Sequence, residues 1–273
     1  MLKPTISLFL TTVCTVLGQS NAVTGLAFEV ATIKPVKVVA GQPFGTGRQV
    51  DVQVDREDVR IGPMDLNRLI RTAYAVPARQ FVPSASMREN FNLFEIVAKL
   101  PPNGTANQVL VMLQTLLAER FELKIRRETA EADTFSLIRQ PGAKVGSGST
   151  DSSEAKGDPE HLTIGESSMK VDRDGQYVMK INDFTLSTNA DGVAHFEASS
   201  VAALTKFLSP LPFPVVDKTG ITSPVKLAMD IYPPGNGVEM IKAVEKLGFK
   251  LVREKNPLER IIVESVRQMP TEN

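Results

Sequence analysis

The chain has no tryptophan, one cysteine and two histidines among 273 residues, and each scarcity removes a class of function. Cys14 lies inside an N-terminal apolar stretch, so the chain beyond it can form neither a disulfide nor a thiolate metal site. His161 and His195 are far apart and belong to no His-x-x-x-His or His-Glu pair for zinc; both read as surface residues, His195 in the turn region after Asp191-Gly192. Net charge is missing too. The 31 basic and 31 acidic residues cancel, and no basic run alternates with aromatics, so nothing gathers nucleic acid or anionic lipid. Past the N-terminus, no apolar run reaches the roughly 20 residues a membrane helix requires.

Catalytic motifs are equally scarce. No Gly-x-Ser-x-Gly elbow occurs, and the glycine-rich stretch Gly142–Thr150 has its lysine misplaced for a phosphate loop with no helix behind it. Asp172-Arg173-Asp174-Gly175 begins like a calcium loop but lacks the later ligands and the distal glutamate, so it reads as an Asp-Gly hairpin turn. Carboxylates are plentiful, yet none pairs by spacing as acid and base. The sequence therefore leads us to expect a protein that is not an enzyme, with no catalytic residues, no cofactor and no metal.

What is present begins with an export signal. Met1-Leu2-Lys3-Pro4 precedes an apolar run from Ile6 to Leu17 and a Ser20-Asn21-Ala22 ending, which reads as a secretory signal over residues 1–22. Gly25 and Ala27 offer a second small pair for cleavage. Thr11-Thr12-Val13 does not supply the small residue that lipidation would want before Cys14. The expected location is periplasmic or extracellular. At 42% apolar and 23% charged residues, the rest of the chain can bury a core.

The expected fold is α+β. Two related modules, each a three- or four-stranded sheet with helices on one face, span 28–140 and 162–273, joined by a flexible linker over 141–161 rich in Gly, Ser, Asp, Glu and Lys. The repeat carries the reading. Leu116-Leu117-Ala118-Glu119-Arg120-Phe121-Glu122-Leu123-Lys124 and Val244-Glu245-Lys246-Leu247-Gly248-Phe249-Lys250-Leu251-Val252 each run from an amphipathic helix into a Phe-x-Leu strand. In each copy charges come next as an expected hairpin turn (Arg126–Asp133, and the charged stretch around Arg253-Glu254-Lys255), and a second strand returns at Phe135–Ile138 or Ile261–Val263. The helical stripes are Leu66, Leu69, Ile70, Ala73; Val109, Met112, Leu113, Leu116, Leu117; Val201, Leu204, Phe207, Leu208; and Val238, Ile241, Val244, Leu247. Asp65, Asn107 and Ser199-Ser200 are the expected helix starts.

Val215-Val216-Asp217-Lys218-Thr219-Gly220 is the one polar site candidate. Asp217, Lys218, Thr219 and Gly220 come directly after a strand, and the same residues are what a structural turn needs: an aspartate that bonds its own backbone and a glycine free to take positive φ. Tyr74 ends a helical stripe and reads as core or rim.

Several of these segments resemble the soil-associated protein family, a paralogue-rich set from acidobacterial-type genomes with no assigned activity. The matching stretches are Phe28–Pro35, Leu66–Tyr74, Met112–Phe121, Arg127-Glu128-Thr129 and Val215–Gly220. The chain departs from the family at Phe81–Met87, where a Gly-Pro-x-Trp-like turn is usual and no tryptophan stands. The second unit is similar in layout to the short N-terminal modules of secretins and TonB-dependent receptors, which dock onto partner proteins in the periplasm. Those resemblances imply a non-enzymatic envelope protein with a protein or ligand partner; the alternative is an envelope hydrolase, or a regulator associated with a peptidase system.

Overall fold

The computed structural model describes residues 26–36, 51–89, 92–142, 146–147, 161–164, 167–171, 177–181, 184–233 and 235–271. The signal segment with Cys14, most of the linker and the Asp172–Gly175 turn lie outside the described residues. The fold is α+β, with helices packed on sheets of five, six and four strands.

The first unit opens with β1 (Val30–Val36), β2 (Val52–Asp55) and β3 (Asp58–Asp65). Alternation makes the hairpin: Val52, Val54, Val59 and Ile61 point inward and are fully or almost fully buried, while Asp55 and Asp58 face each other across the turn. Helix α1 (Leu66–Ala73) starts at Asp65, whose carboxylate accepts the Arg68 N–H at 2.8 Å. A short strand β4 (Phe81–Val82), β5 (Leu93–Lys99), α2 (Val109–Arg120) and β6 (Lys124–Arg139) come after it. The expected cap Asn107 does not start α2. Thr105 and Gln108 form a reciprocal capping box one turn earlier, with the Gln108 side chain accepting the Thr105 N–H at 3.0 Å.

After the first unit come β7 (Gly146–Ser147), β8 (His161–Ile164), β9 (Ser167–Val171), β10 (Tyr177–Ile181), β11 (Phe184–Thr188) and β12 (Ala194–Ala198). Then come α3 (Val201–Phe207), capped by the Ser200 hydroxyl, β13 (Val215–Asp217), β14 (Val225–Ile231), α4 (Gly237–Lys246) and β15 (Phe249–Ser265). From β3 and from β12 onward the order of elements is the same: strand, helix, short strand, strand, helix, long strand. One sheet runs β1-β5-β3-β2-β8 and another β7-β14-β12-β11-β10-β9.

The charged stretches are not turns. Arg126–Asp133 lies in the middle of the 16-residue β6, and Arg253-Glu254-Lys255 lies inside the 17-residue β15. The two strands pair antiparallel along their lengths, from Arg139 opposite Phe249 to Lys124 opposite Ser265. Charge in an extended segment is as compatible with a solvated ribbon as with a turn, and here most balancing partners are on the other strand: Arg127 with Glu259, Arg260 with Glu128 at 2.7 Å, and Arg126 with Glu264 at 3.5 Å, while Arg126 also pairs with Glu128 on its own strand. Two further expectations shift with this. Phe121 ends α2 and packs edge-on against Phe94 at 5.2 Å, so the strand begins at Lys124. Val238 is 60% exposed; α4 buries Met240, Ala243 and Val244 instead.

The ribbon holds the units together because one of its faces feeds both cores. Ile261 and Val263 complete the first core, built on Phe94, Ile96, Leu69 and Leu113, whereas Leu137 and Phe249 complete the second around Phe196, Leu204 and Leu227. The outer edges of this four-stranded sheet are β13, parallel to β6 at Phe135–Leu137, and β4, parallel to β15 at Ile261–Ile262. A strand from beyond the linker, β8, pairs with β2 in the first sheet. Arg79 crosses from the first unit to the carbonyls of Ser209 and Pro212 at 3.4 and 3.2 Å. No helix among the described residues is long and apolar enough to cross a membrane.

Candidate functional site

The turn Asp217–Gly220 leaves β13 with its polar groups largely spent on itself. Asp217 accepts the Thr219 N–H at 2.8 Å, and the Thr219 hydroxyl accepts the Ile221 N–H at 3.2 Å. Gly220 has φ of +70° with open space around it, so backbone conformation alone, and no close neighbour, favours glycine there. The Lys218 N–H donates to the Leu137 carbonyl at 2.9 Å, extending the parallel pairing by one bond.

The Lys218 side chain leads to a cluster assembled from the ribbon. Its ammonium donates to Glu254 Oε1 at 2.7 Å, and the Ser136 hydroxyl donates to the same oxygen. Asn256 donates to Thr134 Oγ1 at 2.7 Å and to Ser136 Oγ at 3.0 Å, while Thr134 donates to the Glu254 carbonyl at 3.2 Å. Thr134, Ser136 and Asn256 are buried, and each polar side chain has a partner, as burial demands. The Lys218 and Ser136 hydrogen bonds hold the Glu254 carboxyl down to about 2. Sequence reasoning singled out Lys218 but missed Ser136, Glu254 and Asn256. Their one signal was a polar residue inside the apolar patch Phe135–Ile138 and an asparagine within a charged stretch.

His195 is in strand β12, not in the Asp191-Gly192 turn. It stands directly opposite Asp230 of β14, with Nδ1 at 2.6 Å from Asp230 Oδ1 and Nε2 at 3.3 Å from Glu197 Oε1. The Asp230 hydrogen bond raises its pKa; the cost of burial opposes this less strongly, and Glu197 adds a smaller rise. His161 sits in β8 opposite Asp55 in the first sheet, whereas His195 is in the second. Among the described residues, no group of three or more His, Cys, Asp or Glu side chains is placed to hold a metal.

Asp230 also borders an open cleft of about 220 Å³ at the end of β14, whose other walls are Val193, Tyr232, Glu239, Lys242, Ala243 and Lys246. Tyr232 is 63% exposed and Val238, at the start of α4, 60%. Lys242 pairs with Glu239 at 2.9 Å. A second, smaller cleft of about 150 Å³ lies in the first unit between Ala27–Ala31 and the α2 side chains Met112, Leu116, Glu119 and Arg120. Chemically, the larger cleft offers an aromatic ring, two ammonium groups and two carboxylates, a set suited to holding a ligand in a fixed orientation.

The model of the family described as "Protein of unknown function (DUF3738)" matches residues 67–266, so the chain belongs to that family. The matched region runs from α1 to the end of the ribbon. No curated protein and no solved structure matches the chain.

Proposed function

We propose that this member of the DUF3738 family is a non-enzymatic, exported protein of the cell envelope that binds a protein or ligand partner. The observation that supports it best is the open cleft at the end of β14, lined by the exposed Tyr232, with Val238 also exposed at the start of α4. Large apolar groups held at the rim of a polar cleft are the usual anchors of a binding surface. In this reading the two units are copies of one ancestral module, in line with their common order of elements. The second works as do the short docking modules of secretins and TonB-dependent receptors. We place the chain, on the same grounds, among the soil-associated paralogues of acidobacterial-type genomes.

The test is partner capture from envelope extracts with cell fractionation alongside. Tyr232→Ala combined with Val238→Asp should abolish capture and leave the melting curve unchanged, since neither side chain is buried. Recovery of the chain in the cytoplasm, or capture indifferent to both substitutions, sinks the proposal. The alternative, an envelope hydrolase or peptidase-associated regulator, has one observation in its favour: the His195–Asp230 pair beside the cleft is the arrangement of an oriented general base. Turnover in a hydrolase panel that disappears with His195→Gln decides for that alternative.

A further inference from the structure

The cleft beside β14 has two walls of different origin. On the sheet side stand Asp230 of β14 with Val193 and Tyr232, which lie next to the ends of β12 and β14. On the helix side stand Glu239, Lys242, Ala243 and Lys246, positions that recur every three or four residues and so share one face of α4. Counted as a whole, the lining is neutral, two carboxylates against two ammonium groups. Its charges are nevertheless unevenly placed.

Each side keeps charge of one sign once its internal pairs are made. On α4, Lys242 donates to Glu239 at 2.9 Å and the two cancel. Lys246 is left without an ion pair among the described residues, so the helix side is net positive. On the sheet, His195 lies between Asp230 and Glu197, with Nδ1 2.6 Å from Asp230 Oδ1 and Nε2 3.3 Å from Glu197 Oε1. One imidazole faces two carboxylates, so the sheet side is net negative whether the ring is charged or neutral. The histidine contact uses Oδ1 of Asp230, and the second carboxylate oxygen can accept a further donor. The rest of the lining is Val193, Ala243 and the Tyr232 ring. That ring lies close to the hairpin turn before β12, since a Cβ on Gly192 would stand 3.8 Å from Tyr232 Cε2.

We propose that this cleft binds a small zwitterion with an apolar body, the chemistry of a free amino acid or a dipeptide. Asp230, which His195 keeps oriented, holds the ligand ammonium, and Lys246 holds the ligand carboxylate. The apolar body lies on the Tyr232 ring. A ligand with a single charge is attracted at one side and leaves the other unmatched, and that is how the cleft discriminates. The volume of about 220 Å³ confines the ligand to this size class. The Asp230 side chain is 69% exposed and Tyr232 63%, so water screens the contacts and affinity is modest, roughly millimolar. This rests on the binding reading above and names its ligand class.

The test titrates the full chain at neutral pH and low salt with L-phenylalanine, L-alanyl-L-phenylalanine, phenethylamine and hydrocinnamate, read by amide NMR shifts. Phenethylamine keeps only the positive charge and hydrocinnamate only the negative. At least one zwitterion should bind about threefold or more tighter than either single-charge probe, with shifts at Val193, Tyr232 and α4. The better of the two tells amino acid from dipeptide, and the preference should shrink at high salt. Lys246→Ala should lower the zwitterion to the affinity of phenethylamine and leave phenethylamine no weaker. Asp230→Asn should lower it to that of hydrocinnamate and leave hydrocinnamate no weaker. Both side chains are exposed, so both variants stay folded. A single-charge probe that binds as tightly, shifts that map elsewhere, variants that weaken every probe alike, or no saturable binding of either zwitterion would each overturn the proposal. If both zwitterions fail while capture through Tyr232 persists, the ligand class is lost and the binding reading stands.

Discussion

Among the described residues, β5 is paired on both sides along its length, whereas β14 is paired on its outer side at Val225 and Lys226. The two strands sit at the same step in the same succession of elements, and both bury alternate residues. The difference teaches that the burial pattern of a strand reports its faces and says nothing of its edges, because side chains point to the faces and backbone groups to the edges. The units thus share an apolar plan and differ in how their described strands are paired. They also share the ribbon, which makes their stabilities interdependent.

The strongest way to break the comparison is to damage one core and ask whether the other notices. Phe249 is fully buried in the second core, and Phe249→Ala should cost about 3–5 kcal/mol. Because β15 continues to Ile261 and Val263 in the first core, both units should melt in one transition by circular dichroism and by NMR. Two separate transitions would show that the ribbon does not couple them.

At the centre of the ribbon the expected effects are smaller. Asn256→Ala removes both donors to the Thr134 and Ser136 hydroxyls and should cost about 1–3 kcal/mol in urea denaturation, with an unchanged m-value. Gly220→Val forces a β-branched residue to a positive φ in otherwise open space, so the cost, about 1–2 kcal/mol, should be all strain. Asp217→Asn, which keeps the turn's acceptor, is the near-neutral control.

The two titrating groups separate the ribbon from the outer sheet face. Glu254 has its pKa depressed to about 2 from an ordinary 4.5, so it contributes stability above pH 4.5 that is lost as pH falls through about 2. Lys218→Ala should raise the Glu254 value by NMR titration and move that loss to higher pH. His195 is shifted the other way: its raised pKa contributes stability that is full below 6.5 and lost as pH rises through the folded value. Removing it with His195→Gln should flatten the neutral-to-alkaline fall in melting temperature. At 44% side-chain exposure, this should be the smallest change of the set.

The helices and short strands were largely legible because their signals are local. The α2 stripe is buried in full, and Asp65 and Ser200 cap the helices they precede. The ribbon was not legible, since Arg127 finds Glu259 and Glu128 finds Arg260 across more than a hundred residues. Read alone, Arg126–Asp133 has the charge of a turn. The polar cluster was hidden for the same reason: Ser136 lies on one strand, Asn256 on the other and Lys218 at the end of a third.

What the sequence by itself determined is therefore local: most of the helices, two of their caps and the alternation of the short strands. Local spacing, capping and alternation depend on neighbours a few residues apart, and these are written side by side in the chain. Which strands become continuous, which charges cancel, and which strands pair was decided only by the tertiary structure. Backbone pairing is indifferent to side-chain identity along an edge, and a charge is satisfied by whatever opposite charge folding brings within reach.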